Sequence, residues 1–193
     1  MASVRHDVHD QEWLRQRTAA GLDRFDEVWD GVLHVVPPPS RDHQRIEGGL
    51  LRAFFDRALE RGCEATHEIG VFDPREGERN FRVPDLAVYR LTDASERGVE
   101  GRAELAVEIR SPRDETYLKS PFYAQQQVQQ ILVIHPDART AELYDLDGAG
   151  YRCVEPDAQG VVTIRCLDAH VDTITTDDGP RLRVTIDDAI TLI

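Results

Sequence analysis

Two short apolar segments constrain this chain more than any other feature, because each holds a carboxylate where a buried strand should hold none. Asp85 stands between Val83-Pro84 and Leu86-Ala87-Val88, and Glu108 between Leu105-Ala106-Val107 and Ile109. Acidic side chains are rarely buried unless they are paired or bind a metal. Lys119 follows eleven residues beyond Glu108. Two acids on neighbouring strands, with a lysine beyond them, point to a divalent-cation site with a basic partner.

The frame around that site is of ordinary size. A chain of 193 residues fits one domain with a sizeable core. Within it, residues 1–24 read as an N-terminal helical arm and residues 141–193 as a C-terminal β extension. Hydrophobic content of 40% and charged content of 31% are globular values. A net charge of −13 argues against a nucleic-acid binder whose whole surface is basic. It leaves room for a nuclease with a local basic groove, helped by the charge of a bound cation. Cys63, Cys153 and Cys166 are odd in number and lack CxxC spacing, so neither a disulfide framework nor a zinc knuckle is indicated. No segment approaches the ~18 apolar residues that a membrane span needs, and the first residues carry no apolar signal core. The expectation is a cytoplasmic protein with no membrane partner.

Residues 9–21 read as a short helix ending at Gly21. His6 and His9 have the spacing of a metal pair, although a solvated arm is the simpler reading. Phe25–Val36 reads as a β-hairpin, since Asp30-Gly31 suits a tight type I′ turn between alternating apolar residues. Pro37-Pro38-Pro39 forces an extended exit. Ser40 caps the next helix, whose apolar face is Ile46, Leu50 and Phe54, with a stop at Gly62. His43 and Glu47 stand one turn apart on it and face the same way. Strands are expected over Glu68–Phe72, Phe81–Arg90, Glu104–Arg110 and Ile131–Ile134, with Pro84 marking a strand end, an edge or a bulge in the second. Ser120-Pro121 reads as the cap and first residue of a helix running to Gln129. From Ala141 onward the pattern is one of hairpins, with a strand or short helix at the end. The fold class is mixed α/β.

VPD at 83–85, VEIRSP at 107–112, the LK and YA pairs at 118–119 and 123–124, and ILVIHP at 131–136 together resemble the Uma-two endonuclease-like family. That family is a branch of the PD-(D/E)XK nucleases. WDGVLHVVPPPSRDHQRI at 29–46 resembles its N-terminal signature. The resemblance implies a restriction-endonuclease-like fold, a mixed β-sheet flanked by helices with the acids at one end, here followed by C-terminal β-hairpins. It places Asp85 and Glu108 as cation ligands for Mg²⁺ or Mn²⁺, with Asp85, Glu108 and Lys119 as the catalytic set. Arg110 occupies the position where the superfamily's lysine would sit, and Lys119 supplies the amine from the following helix. Glu27, His43, Glu47 and Arg110 are candidates for the rim of the site, Arg110 also as a partner for either acid. The chain departs from the family pattern at Gln127-Val128-Gln129-Gln130, where glycine and proline are usual, and at His135, where aspartate is common.

The implied function is cation-dependent hydrolysis of nucleic-acid phosphodiester bonds, DNA in the first place, in a chain that can form homodimers. The alternative is a catalytically silent nuclease-fold module that binds or regulates.

Overall fold

The structure, a computed structural model, describes residues 4–7, 11–21, 23, 25–111 and 115–193. It begins with strand β1 (Val4–Asp7) and helix α1 (Gln11–Ala19); His9 and Asp10 lie outside the described residues. A hairpin follows, β2 (Glu27–Trp29) and β3 (Val32–Val35). Its turn residues Asp30 (φ 50°) and Gly31 (φ 83°) both take the left-handed conformation that a type I′ turn requires. Pro37–Pro39 ends β3, and helix α2 (Arg41–Glu60) starts where the Ser40 side chain accepts the His43 backbone N–H at 3.2 Å. Gly62 (φ 69°) closes it, one residue after the cap Arg61.

The middle of the chain supplies β4 (Glu64–His67), β5 (Val71–Asp73), β6 (Gly77–Arg82), β7 (Leu86–Tyr89), β8 (Val99–Glu100) and β9 (Leu105–Ile109). A 3-10 turn (Thr116–Lys119) leads into α3 (Ser120–Gln125) and then β10 (Gln130–His135). The remainder is strand: β11 (Thr140–Asp147), β12 (Gly150–Cys153), β13 (Val162–Ile164), β14 (Ala169–Thr176), β15 (Gly179–Ile186) and β16 (Ala189–Leu192).

These strands form three sheets, ordered β1-β3-β2-β6-β5-β8, β12-β11-β10-β9-β7-β4 and β13-β14-β15-β16. In the second sheet β9 and β10 run parallel, while β7 and β9 are antiparallel neighbours, as the placement of the two acids requires. That sheet is covered on both faces, which is why its strands are nearly continuous in apolar residues. Against one face lie Ile46, Leu50 and Phe54 of α2, and the same cluster takes in Val171, Leu182 and Val184 of the C-terminal sheet. Against the other face lie Phe122 and Tyr123 of α3 with Val71 and Val99. Among the described residues, no helix is long and apolar enough to cross a membrane.

Four expectations need correction. The strand foreseen over 81–90 is two strands in different sheets, because Pro84 has no N–H for a ladder and Val83-Pro84-Asp85 carries the chain from one sheet to the other. Asp85 therefore sits in the link and not within a strand. The strand foreseen over 68–72 is likewise broken, at Glu68, whose φ of 50° turns the chain out of β4 before β5 begins. Helix α3 stops at Gln125, with Gln127 left-handed at φ 58°, and Ser120 lies within it without capping it. The arm over residues 1–24 is not helix alone, since β1 pairs with β3 in the first sheet, whereas the chain's end takes strand, one of its two expected forms.

Candidate active site

The ends of β2, β9 and α2, the β6–β7 link and the turn before α3 meet at one cleft of about 320 Å³. Glu108 faces the α3 side of its sheet, since Ala106 belongs to that cluster while Leu105, Val107 and Ile109 face α2. Its carboxylate accepts the Lys119 ammonium at 3.1 and 2.9 Å and the Tyr123 hydroxyl at 2.6 Å. The Lys119 Nζ also lies 2.8 Å from Glu27 Oε1. Glu27 is held in turn by the Trp29 indole N–H at 2.7 Å and the Val83 backbone N–H at 2.8 Å. Asp85 accepts the Ile109 backbone N–H at 2.5 Å, which ties it to the residue directly after Glu108. Its other oxygen lies 3.2 Å from His43 Nε2.

Two acids thus hold one ammonium, with Asp85 beside them; Glu27 is only 2% exposed and Glu108 4%, while the Asp85 side chain is 22% exposed. Burial pushes the Glu108 carboxyl up to about 8, with the negative charges of Asp85 and Glu27 adding to the rise and Lys119 and Tyr123 opposing it. Burial alone would lower the Lys119 amine, but Glu108 and Glu27 outweigh it and hold the amine above its ordinary value. The two shifts pull in opposite senses on the charge of one ion pair. Both follow from the same neighbours: the charges of Asp85 and Glu27 favour the proton on Glu108, while those of Glu108 and Glu27 favour the charge on Lys119. The Tyr123 phenol is raised well above its usual value by burial and by Glu108 and Glu27, so it remains a donor. Burial lowers the His43 ring, but its bond to Asp85 and the nearby Glu47 charge reverse this and leave it raised.

Hard oxygen donors in a partly buried cleft suit a divalent cation, and Asp85 and Glu108 would supply them there.

The predicted residues do not all meet there. Asp85, Glu108, Lys119, Glu27 and His43 line the cleft. Glu47 shares the buried face of α2 with His43 but turns to His67, whose Nδ1 lies 2.9 Å from Glu47 Oε1. With Glu68 these two bring three possible ligand atoms within 4.8 Å of one another. Burial, then Glu68 and Asp85, push the Glu47 carboxyl up, and His67 partly offsets this. Arg110 departs furthest from expectation: its guanidinium lies over the Tyr117 ring at 5.1 Å, while Lys119 and Tyr123 hold Glu108.

Reading the sequence missed Tyr123 as a partner of Glu108, and also the wall made by Trp29 and His34. Those two rings stack at 4.1 Å, and His34 Nδ1 lies 2.9 Å from Glu115 Oε2. A signal for Lys119 was available and went unused. It is the chain's only lysine, every other basic chain being arginine. Where arginine serves for surface charge, a lone lysine marks a position needing a compact amine.

A mixed sheet covered on both faces, with acids and a lysine gathered at one end, has the form of a restriction-endonuclease-like fold. A solved structure from Anabaena variabilis, titled a "putative nuclease belonging to DUF820", superposes with a TM-score of 0.55 at 21% identity, covering 71% of this chain and 79% of that one. The Uma2 family, described as "Putative restriction endonuclease", matches residues 12–173, and the chain belongs to it. No curated protein matches the chain.

Proposed function

We propose that the chain is a divalent-cation-dependent endonuclease that hydrolyses nucleic-acid phosphodiester bonds in the cleft. The observation that carries this reading is the shared cluster of Asp85, Glu108 and Lys119, with Glu27 as a third acid, in a site made of opposed sheet ends. Asp85 and Glu108 hold the cation, Mg²⁺ or Mn²⁺. When bound, it supplies charge neutralisation for the phosphate and lowers the pKa of water. Lys119 donates hydrogen bonds to charge that develops on the scissile phosphate. Glu27 positions it, its own carboxylate being fixed by the Trp29 and Val83 N–H groups. Tyr123 keeps one Glu108 oxygen in place. His43 orients Asp85 through Nε2.

One observation favours a second reading, a silent module that binds without cutting: the Lys119 ammonium is already engaged by both Glu27 and Glu108. A cleavage panel decides between them. Plasmid, linear duplex, single-stranded DNA and RNA are each incubated with Mg²⁺ or Mn²⁺, comparing the wild type with Asp85→Asn and Lys119→Met. Cation-dependent cutting lost in both variants supports the endonuclease. Absence of cutting by a folded wild type on every substrate leaves the silent module.

A further inference from the structure

The geometry points to a second, cation-independent contact with nucleic acid: a groove on the far side of α2 that holds the phosphate backbone. It rests on the reading of the cleft as a nucleic-acid site. The groove has a volume of about 340 Å³ and lies between α2 and the C-terminal sheet, lined by Arg45, Arg52, Arg139 and Arg181.

In a chain of net charge −13, the placement of these arginines stands out. Most arginines here lie against a carboxylate, as Arg17 does with Asp26, Arg97 with Glu100 and Arg183 with Asp172. Arg139 is also paired, through two bonds to Asp42 at 2.9 and 2.7 Å. Arg45, Arg52 and Arg181 have no ion pair among the described residues, and all three line this one groove. Asp42 is bonded to Arg139 and also lies near enough to Arg45 and Arg181 to feel their charge, so this depression holds more arginine than the one carboxylate can balance. The net negative charge of the chain by itself repels a polyanion.

The floor is shaped for close approach. Gly48 and Gly49 fall between Arg45 and Arg52, and a Cβ at Gly48 would meet nothing within 4 Å, while one at Gly49 would strike Ile193. Gly48 therefore leaves helix backbone open beside the guanidinium groups, while Gly49 lets the Ile193 side chain pack against the helix as part of the lining. Arg45 and Arg52 are two turns apart, ~10.5 Å along the axis, a span of about three nucleotides at 3.4 Å per step in one strand. They therefore meet different phosphates, which favours a strand over a single small anion. Arg45 lies about 200° around the helix from His43, so α2 carries the cleft on one face and this groove on the other.

The test is fluorescence anisotropy with a short labelled DNA duplex and the full chain in EDTA, so that no cutting occurs. The variants are Arg45→Gln with Arg52→Gln, and Arg181→Gln alone. Circular dichroism checks folding, and the single variant serves if the double one is unstable. The double variant is expected to bind at least tenfold more weakly. Its log affinity against log salt should be shallower by roughly 2, since each phosphate contact contributes about 0.9 to that slope. Wild-type affinity and slope in both variants overturn the proposal. So does the absence of any duplex binding by the wild type. Inorganic phosphate competing as well as DNA at equal phosphate concentration would make this a small-anion site, which also overturns it. Asp85→Asn separates the two readings: it should abolish cleavage yet bind duplex at least as tightly. Arginine-dependent binding by a wild type that never cuts keeps the groove and sinks the endonuclease. Cutting with arginine-independent binding does the reverse.

Discussion

The central residue-scale fact is a surplus of acid. Glu108 and Glu27 bond one ammonium with Asp85 beside them, and burial with neighbouring charge lifts Glu108 to about 8. A cation that takes Glu108 as a ligand must therefore displace a proton. Below about pH 8 its affinity should rise with pH, up to about tenfold per unit, and level off above. Titration calorimetry with Mn²⁺ in buffers of different ionisation enthalpy measures this directly. Close to one proton released per cation at neutral pH is the expected result, falling away above pH 8. Glu108→Gln should bind more weakly and release none. Cation binding by the wild type without proton release would refute the picture of a protonated cluster. The sole lysine gives a second check: a mild amine reagent should spare Lys119 in the native protein and label it after unfolding, because its side chain is 14% exposed and doubly paired. Asp85 and Glu108 were legible in the sequence because charge in an apolar run is costly without a partner. Glu27 and Tyr123 gave no comparable signal. Glu27 lies on the β2 strand and Tyr123 on α3, and only folding brings the one to Lys119 and the other to Glu108.

At the scale of elements, local chemistry was a good guide wherever one residue decides the outcome. Asp30-Gly31, Ser40 and Gly62 fixed a turn, a cap and a stop where expected. It misled at the β6–β7 link, because the apolar pattern of Phe81–Arg90 continues unbroken through Pro84 while the chain changes sheet. Periodicity reports which face is buried, not which sheet buries it. Helix α2 connects more of the molecule than its sequence shows. Leu50, fully buried, belongs to the cluster that joins the central sheet to the C-terminal one. Leu50→Ala should cost roughly 2–5 kcal/mol, read by urea denaturation. We further propose that residues 141–193 unfold together with the rest, since they share this cluster. A single transition by both tryptophan fluorescence and far-UV circular dichroism is expected. Two separated transitions would make the C-terminal sheet an independent unit.

At the scale of the whole molecule, acidity organises both stability and recognition. Glu108, Glu47 and Asp26 all have carboxyls raised by burial first of all. An acid whose folded pKa exceeds its unfolded value holds its proton more tightly in the native state. Stability is then highest below the unfolded value and falls as pH rises towards the folded one. The raised His43 ring acts in the same direction, its contribution being lost as pH rises through its folded pKa. Asp42 and Glu142 are lowered, Asp42 chiefly by the Arg139 bond and Glu142, against its burial, by hydroxyl and His135 bonds. They oppose this trend only near and below ordinary carboxylate values, so the window to examine opens above about pH 5. Between there and about pH 8 the melting temperature of the cation-free protein should drop steadily. Glu108→Gln should flatten much of that fall, because a neutral amide has no proton to lose. Saturating Mg²⁺ should raise the melting temperature most at the alkaline end, where the native cluster carries its full negative charge and the cation meets no competing proton. A melting temperature independent of pH across this window, or a cation effect largest at pH 5, would mean that Glu108 does not hold a proton in the native state. The chain's charge would then shape only its surface, and the arginine groove behind α2 would be the one place where electrostatics reaches a ligand.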